Sequence, residues 1–79
     1  MAEPNGVRFL TLEEQLGSRI HSARKSIRIS QRELADRAGL TQAVISKIEV
    51  GSANPTLQTV QRISEALNMN VSLSLNKNR

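Results

Sequence analysis

The sequence contains no cysteine, tryptophan or tyrosine, and Phe9 is its one aromatic residue. Without cysteine, neither a disulfide nor a thiolate metal site can form. Modules for single-stranded nucleic acid or RNA stack bases on aromatic rings, so this composition disfavours them. With one histidine and one aspartate, and no glycine-rich phosphate loop, the chain offers no nucleophile–base set and no metal cluster. We therefore expect neither an enzyme nor a bound cofactor.

Long apolar runs are also missing. No segment approaches the roughly 20 apolar residues of a membrane span. The N-terminus has Glu3 and Pro4 early, and its apolar stretch is too short for a signal peptide. From 79 residues we expect one small domain. Without a signal peptide or a membrane span, we expect that domain in the bacterial cytoplasm, with no membrane partner.

Positive charge is concentrated in the middle of the chain. The net charge is +4, and between residues 19 and 47 the acidic side chains are only Glu33 and Asp36. The basic residues there are Arg19, Arg24, Lys25, Arg28, Arg32, Arg37 and Lys47. Such asymmetry indicates a polyanion partner, although a solvated basic face would look the same by charge alone.

The segment QRELADRAGLTQAVISKIEV, residues 31–50, has the spacing of a helix-turn-helix. Ala35 is small where the second helix must cross close to the first. Gly39 can take the positive φ that ends the first helix. Ile45 and Ile48 lie three apart and anchor the inner face of the second helix. The outer face is left free to enter the major groove of DNA, which favours nucleic acid as the polyanion.

Helix-start signals and apolar periodicity predict four helices, or five with one short extra turn. Thr11–Glu14 and Ser30–Glu33 read as capping boxes, and Thr41 and Thr56 as N-caps. Gly51 can close the third helix. The first helix is expected to run to about residue 26 and to bury the stripe Leu12, Leu16, Ile20, Ala23 and Ile27. The fourth is expected to bury Leu57, Val60, Ile63 and Leu67.

The end of the chain has a different period. Met69, Val71, Leu73 and Leu75 alternate with polar residues, which predicts a half-buried strand over residues 69–76. A lone strand leaves its backbone groups unpaired. We expect it to pair with the same segment of a second copy across a two-fold axis. A frayed tail, or pairing with residues 7–10, are the alternatives.

The predicted organisation is therefore a flexible tail at residues 1–10, an all-α DNA-binding domain at 11–68, a dimerisation strand at 69–76 and a short tail at 77–79. About residues 12–70 resemble the Cro/lambda-repressor family of helix-turn-helix proteins, through SQRELADRAGLTQAVISKIE-x-G and ISEALNM. The tail MNVSLSL, the short length and the QAxIS segment are most similar to HipB-type antitoxins. That resemblance implies a lambda-repressor-like fold, a homodimer and a HipA-type kinase toxin as a partner.

The resemblance also implies roles for individual residues. Gln31 would meet a phosphate at the start of its helix. Gln42 would read adenine, Ala43 and Val44 would face thymine methyls, and Lys47 would reach guanine or a phosphate. The full set implied to contact DNA is Gln31, Arg32, Thr41, Gln42, Ala43, Val44, Ser46, Lys47, Ser52 and Asn54. Arg24 and Glu49 would form a buried ion pair between the first and third helices.

Some of these assignments have competing interpretations. Val44 could pack at the edge of the core instead of facing the groove. Arg28 and Arg32 could be phosphate neighbours or simply solvated charges. His21 is expected to be an ordinary helix residue.

The expected function is sequence-specific repression of transcription by a homodimer. Two-fold symmetry predicts a palindromic operator with half-sites about 34 Å apart, or a multiple of that distance. The strand tail and the short chain without a sensor domain favour the autoregulating antitoxin of a HipBA-like operon. The alternative is a phage-type or restriction–modification controller without a toxin partner.

Overall fold

The computed structural model describes residues 10–69, which form four α-helices. These are α1 (Leu12–Ser26), α2 (Gln31–Ala38), α3 (Gln42–Glu49) and α4 (Leu57–Ala66). The all-helical prediction is confirmed for this part of the chain. Of the predicted tail and strand, only Leu10 and Met69 fall within it.

The third helix packs against both α1 and α2, and α4 packs against α2. The most completely buried large side chains are Leu34, Ile45, Ile48 and Ile63. Two of these four belong to the eight-residue α3, so the core fixes the helix that is predicted to read DNA.

Every helix begins at a hydroxyl side chain that accepts a hydrogen bond from a backbone N–H of the first turn. Thr11, Thr41 and Thr56 are the caps predicted from sequence, and Thr11 forms the full capping box with Glu14. At Ser30 the prediction is half right. The Ser30 hydroxyl accepts from the backbone N–H of Glu33 at 3.0 Å, but the Glu33 carboxylate pairs with Arg37 at 2.8 Å.

Every helix also ends in the same way, with one residue in the left-handed region of φ. These residues are Arg28, Gly39, Gly51 and Asn68. The following residue in each case returns its N–H to a carbonyl five positions back, as in the Schellman motif. The predicted closing roles of Gly39 and Gly51 are confirmed, with φ of 70° and 78°.

Three members of the predicted apolar stripes are exposed, and one of them, Ile27, is 42% accessible at the C-cap of α1. Leu12 and Leu57 are 79% and 78% accessible, although periodicity placed them on the buried faces of α1 and α4. Each is the first residue of its helix. Periodicity assigns a residue to a face, but it does not show whether another element covers that face at the end of a helix.

The chain leaves α4 through a hydrogen-bonded turn. The Met69 N–H donates to the Ser64 carbonyl at 2.8 Å, and the Ser64 hydroxyl donates to the Met69 carbonyl at 2.9 Å. Both backbone groups of Met69 are thus used within the domain, and Met69 is not in a strand. The rest of the predicted strand, residues 70–76, lies outside the described residues. Among the helices of residues 10–69, none is long and apolar enough to cross a membrane.

Candidate nucleic-acid interface

The two faces of α3 differ in chemistry. Ile45 and Ile48, at 0% and 2% accessibility, fix the inner face in the core. Gln42, Ala43 and Lys47 are exposed on the helix. A rigidly held helix with an open polar and small-apolar face can present hydrogen-bond donors, acceptors and methyl groups to base edges.

Val44 and Ser46 lie at the margins of that face. Val44 is 38% accessible and Ser46 is half-buried. Val44 can therefore contribute to the edge of the packing and still contact a ligand, so both sequence interpretations remain compatible with its position.

A glycine on α1 lets the two helices cross closely. A Cβ added at Gly17 would lie 2.6 Å from the Glu49 carbonyl oxygen, and it would also collide with the Ile48 carbonyl oxygen. Real Cβ contacts essentially never come below 3.0 Å. No side chain other than hydrogen fits here, so Gly17 determines how closely α3 approaches α1. Sequence reasoning missed this residue, because a small residue inside a helix gives no sign of which backbone it faces.

Arg24 and Glu49 form the ion pair that the resemblance implies. The Arg24 Nε and Nη2 donate to the two Glu49 carboxylate oxygens at 2.7 and 3.0 Å, and its Nη1 donates to the Ile29 carbonyl at 2.9 Å. The two side chains are 9% and 3% accessible. The two-point contact joins the end of α1 to the end of α3 in one orientation.

The carboxylate of Glu49 has further partners. His21 Nδ1 lies 3.0 Å from Oε1, so His21 belongs to this cluster although its side chain is half exposed. Burial opposes the charge of Glu49, but hydrogen bonds from Arg24, His21 and Gln31 outweigh it and lower its pKa to about 2. The hydrogen bond from Arg24 to Glu49 also raises the pKa of Arg24, against the opposing effect of burial. Both groups are charged at neutral pH.

Gln31 is held by the same carboxylate. Its Nε2 donates to Glu49 Oε1 at 3.1 Å, an interaction that the sequence did not predict. One amide N–H is therefore used inside the protein, and the second N–H and the amide oxygen remain for an outside partner. The side chain is positioned at the N-terminus of α2 by a residue at the C-terminus of α3.

Two hydroxyls of the predicted interface differ in what they can still do. Thr41 Oγ1 accepts from the Val44 N–H at 3.2 Å, which leaves its own O–H free to donate. Ser52 Oγ donates to the Lys47 carbonyl at 3.2 Å, so its proton is already used. Arg32 and Asn54 are exposed.

Arg62 has a structural role that the sequence did not indicate. From α4, its Nε donates to the Ala38 carbonyl at 3.1 Å and its Nη2 to the Gly39 carbonyl at 2.9 Å. These carbonyls lie at the end of α2, where the helix leaves acceptors unsatisfied and favours a cation. Arg62 thus ties α4 to the turn between α2 and α3.

A model of a family described as helix-turn-helix matches residues 20–74. An uncharacterised HTH-type transcriptional regulator of Sinorhizobium fredii is 38% identical over 81% of this chain and 33% of its own length. The immunity repressor of Bacillus phage phi105 is 35% identical over 72% of this chain, which spans 40% of that repressor. The control protein C.SmaI of Serratia marcescens is 33% identical over 80% of this chain and 75% of its own length. The chain thus spans well under half of the first two relatives.

Solved structures agree with the family match. The restriction–modification controller C.AhdI of Aeromonas hydrophila has a TM-score of 0.72 and 26% identity, over 73% of this chain and 84% of that chain. A chain of a HipA–HipB–O2–O3 complex has a TM-score of 0.72 and 30% identity, over 90% and 100% of the two chains. A HipB variant bound to an O2 20mer has a TM-score of 0.73. The resemblance to HipB-type helix-turn-helix proteins is confirmed.

Proposed function

The chain belongs to the helix-turn-helix family, and from that premise we propose that it represses transcription by binding a specific double-stranded DNA sequence as a homodimer. The observation that carries this proposal is the arrangement of α3. On its inner face, Ile45 and Ile48 are at most 2% accessible. Gln42 and Lys47, on the same helix, are exposed. Such a helix can enter a major groove without rearranging the domain.

Individual contacts follow from this placement. Gln42 would read an adenine edge, Lys47 a guanine or a phosphate, and Ala43 and Val44 a thymine methyl. The free Thr41 O–H and the second Gln31 N–H would donate to phosphates. The remaining proposed contacts, at the backbone or groove edge, are Arg32, Ser46, Ser52 and Asn54.

The proposed dimer is formed by the alternating apolar residues Val71, Leu73 and Leu75, with Met69 at the point where the chain leaves α4. Two copies related by a two-fold axis would place two recognition helices on one face of the DNA and read a palindrome. The support for this part is the period-two pattern in the sequence.

Within this function we propose an antitoxin role, with a HipA-type kinase toxin as the protein partner. The support is the extent of the similarity. The match to the chain in the HipA–HipB–O2–O3 complex extends over 90% of this chain, whereas the match to C.AhdI extends over 73%. The second candidate is a restriction–modification controller, which the similarity to C.SmaI over 75% of that protein's length supports.

DNA binding is tested by selecting sequences from a random duplex library with the full chain, followed by titrations over a range of salt concentrations. We expect a palindromic selected site, and an affinity that falls steeply with salt because phosphate contacts release counterions. Gln42→Ala should weaken binding to the selected site and relax selection at one position of each half-site, at a cost of about 1–3 kcal/mol. Gln61→Ala is the matched control, since Gln61 is an exposed glutamine on α4 and should bind as the wild type does. If Gln42→Ala selects the same bases as the wild type and the control do, that result would argue against α3 as the helix that reads the bases.

The choice between antitoxin and controller is tested with the protein encoded by the neighbouring gene. Co-expression of the two proteins, followed by size-exclusion chromatography, should give a stable complex if that protein is a kinase-like toxin. A neighbouring restriction endonuclease that forms no complex with the chain would support the controller role instead.

A further inference from the structure

The turn after α1 contains an unexpected residue for its backbone conformation. Of the four left-handed residues that close the helices, two are glycines and one is Asn68, whereas the fourth is Arg28 with φ of 62°. Glycine adopts this region without a steric penalty and asparagine tolerates it, but an arginine side chain disfavours it. The rest of the turn is regular, because the Arg28 N–H donates to the Lys25 carbonyl at 3.1 Å. Glycine at this position would therefore give a more stable fold than arginine does.

Among residues 10–69, no side-chain hydrogen bond or ion pair of Arg28 compensates for this conformation, and the Arg28 side chain is exposed. Three other arginines do make such contacts: Arg24 pairs with Glu49, Arg37 pairs with Glu33, and Arg62 donates to backbone carbonyls. A structural explanation for arginine at residue 28 is thus absent from residues 10–69.

The surroundings of Arg28 are positive. It lies three residues before Gln31, at the N-terminus of α2, where the helix dipole adds partial positive charge. Arg32, on the first turn of α2, is also exposed and without an ion pair among the described residues. The nearby acid, Glu33, is already paired with Arg37 at 2.8 Å. Two guanidinium groups near the positive end of a helix dipole repel one another and that dipole in the isolated protein. An external anion bound there would be attracted to both groups and to the helix N-terminus.

We propose that Arg28 is a further DNA contact, which binds a backbone phosphate beside the one proposed for Gln31, and that this contact offsets the conformational cost of arginine in the α1–α2 turn. This inference rests on the proposed DNA-binding function. A guanidinium group can donate two parallel hydrogen bonds to one phosphate, and a contact to phosphate adds affinity without selecting a base.

The proposal makes stability and binding change in opposite directions. Arg28→Gly should raise the midpoint of thermal unfolding, because glycine fits the left-handed region. The same change should weaken binding to the selected duplex by roughly tenfold at low salt. The slope of log K against log salt should become shallower by about 0.9 for each bound subunit, as expected when one phosphate contact is lost. Arg28→Lys, which keeps the charge, should retain that slope.

The matched control is Ser18→Ala, at an exposed position of α1 outside the proposed DNA and dimer contacts, where alanine is the better helix former. It should raise the unfolding midpoint without changing affinity or salt slope. An Arg28→Gly chain that binds the duplex as tightly as wild type, with an unchanged slope, would overturn the proposal and leave the proposed function intact. An Arg28→Gly chain less stable than wild type would show that arginine is needed by the fold, which also overturns it. A wild-type chain without salt-sensitive binding would refute the proposed function itself.

Discussion

The substitution Gly17→Ala tests whether a close crossing of α1 and α3 determines the stability of the domain. The added methyl group would lie 2.6 Å from the carbonyl oxygen of Glu49 and 2.8 Å from its carbonyl carbon. Ordinary contacts begin at 3.4 Å, so the helices must separate by at least about 0.8 Å. The colliding atoms are backbone atoms of a helix end that the Arg24–Glu49 pair also holds, and no side chain can rotate away to make room.

The magnitude follows from two opposing effects. Alanine is the better helix former, and in an exposed helix the change would stabilise the domain by about 1 kcal/mol. Overpacking against a close-packed partner costs about 1–3 kcal/mol, and the upper part of that range applies where only backbone can move. We expect a net destabilisation of about 1–2 kcal/mol. In a domain of this size, that corresponds to a fall in Tm of roughly 5–15 °C.

The assay is thermal and urea unfolding followed by circular dichroism. The matched control is Ser18→Ala, at the exposed neighbouring position of the same helix, where alanine should raise stability by up to about 0.5 kcal/mol. The expected result is opposite signs for the two variants. A Gly17→Ala chain as stable as wild type would refute the reasoning, because the methyl group would then have space that the geometry denies it.

Three further predictions concern charges and the proposed dimer. Glu49 has its pKa lowered from 4.5 to about 2, so its charged form stabilises the fold above its ordinary pKa. This stabilisation, at most about 3 kcal/mol, is lost as pH falls from about 5 through about 2. In urea titrations, Glu49→Gln should be less stable than wild type at pH 7 but should lose less stability between pH 7 and pH 3. Arg62→Met should lower the free energy of unfolding by about 1–2 kcal/mol, because the carbonyls at the end of α2 lose a charged donor. In the same titration, the control Arg19→Met, which breaks no described contact, should change that free energy little. Leu73→Pro should remove hydrogen bonds from the proposed strand and so weaken the dimer, as measured by analytical ultracentrifugation, while the helical circular dichroism signal stays unchanged. If the variant is still a dimer, the strand is not the dimer interface.

Local signals in the sequence predicted the helices well because they are local in the molecule. A hydroxyl N-cap acts on the N–H groups two or three residues away, and a glycine at the end of a helix acts on carbonyls within one turn. Thr41 and Gly39 bracket the turn between α2 and α3, and they could be identified without knowing what packs around them. The inward positions of α3 were equally accessible, because Ile45 and Ile48 share a face by helical geometry alone.

What the sequence could not give were contacts across elements. Gly17 faces the backbone of a helix about thirty residues further on, and Arg62 donates to carbonyls more than twenty residues before it. The partners of a carboxylate are similarly hidden: the family resemblance implied Arg24 for Glu49, but nothing in the sequence indicated that His21 and Gln31 share the same oxygen. Each of these depends on the relative placement of helices, which periodicity does not encode.

The turn at Met69 has a consequence for how strictly an operator would be read. Both backbone groups of Met69 are bonded to Ser64, and α4 is tied to the turn before α3 through Arg62. Met69 itself is therefore held in a fixed position relative to α3. In the proposed dimer the two recognition helices would then be joined rigidly at their exit points. Inserting a single base pair between half-sites turns one of them by about one tenth of a helical repeat, and a rigid reader cannot follow that rotation. Tolerance to spacer length therefore reports directly on the stiffness of this one turn.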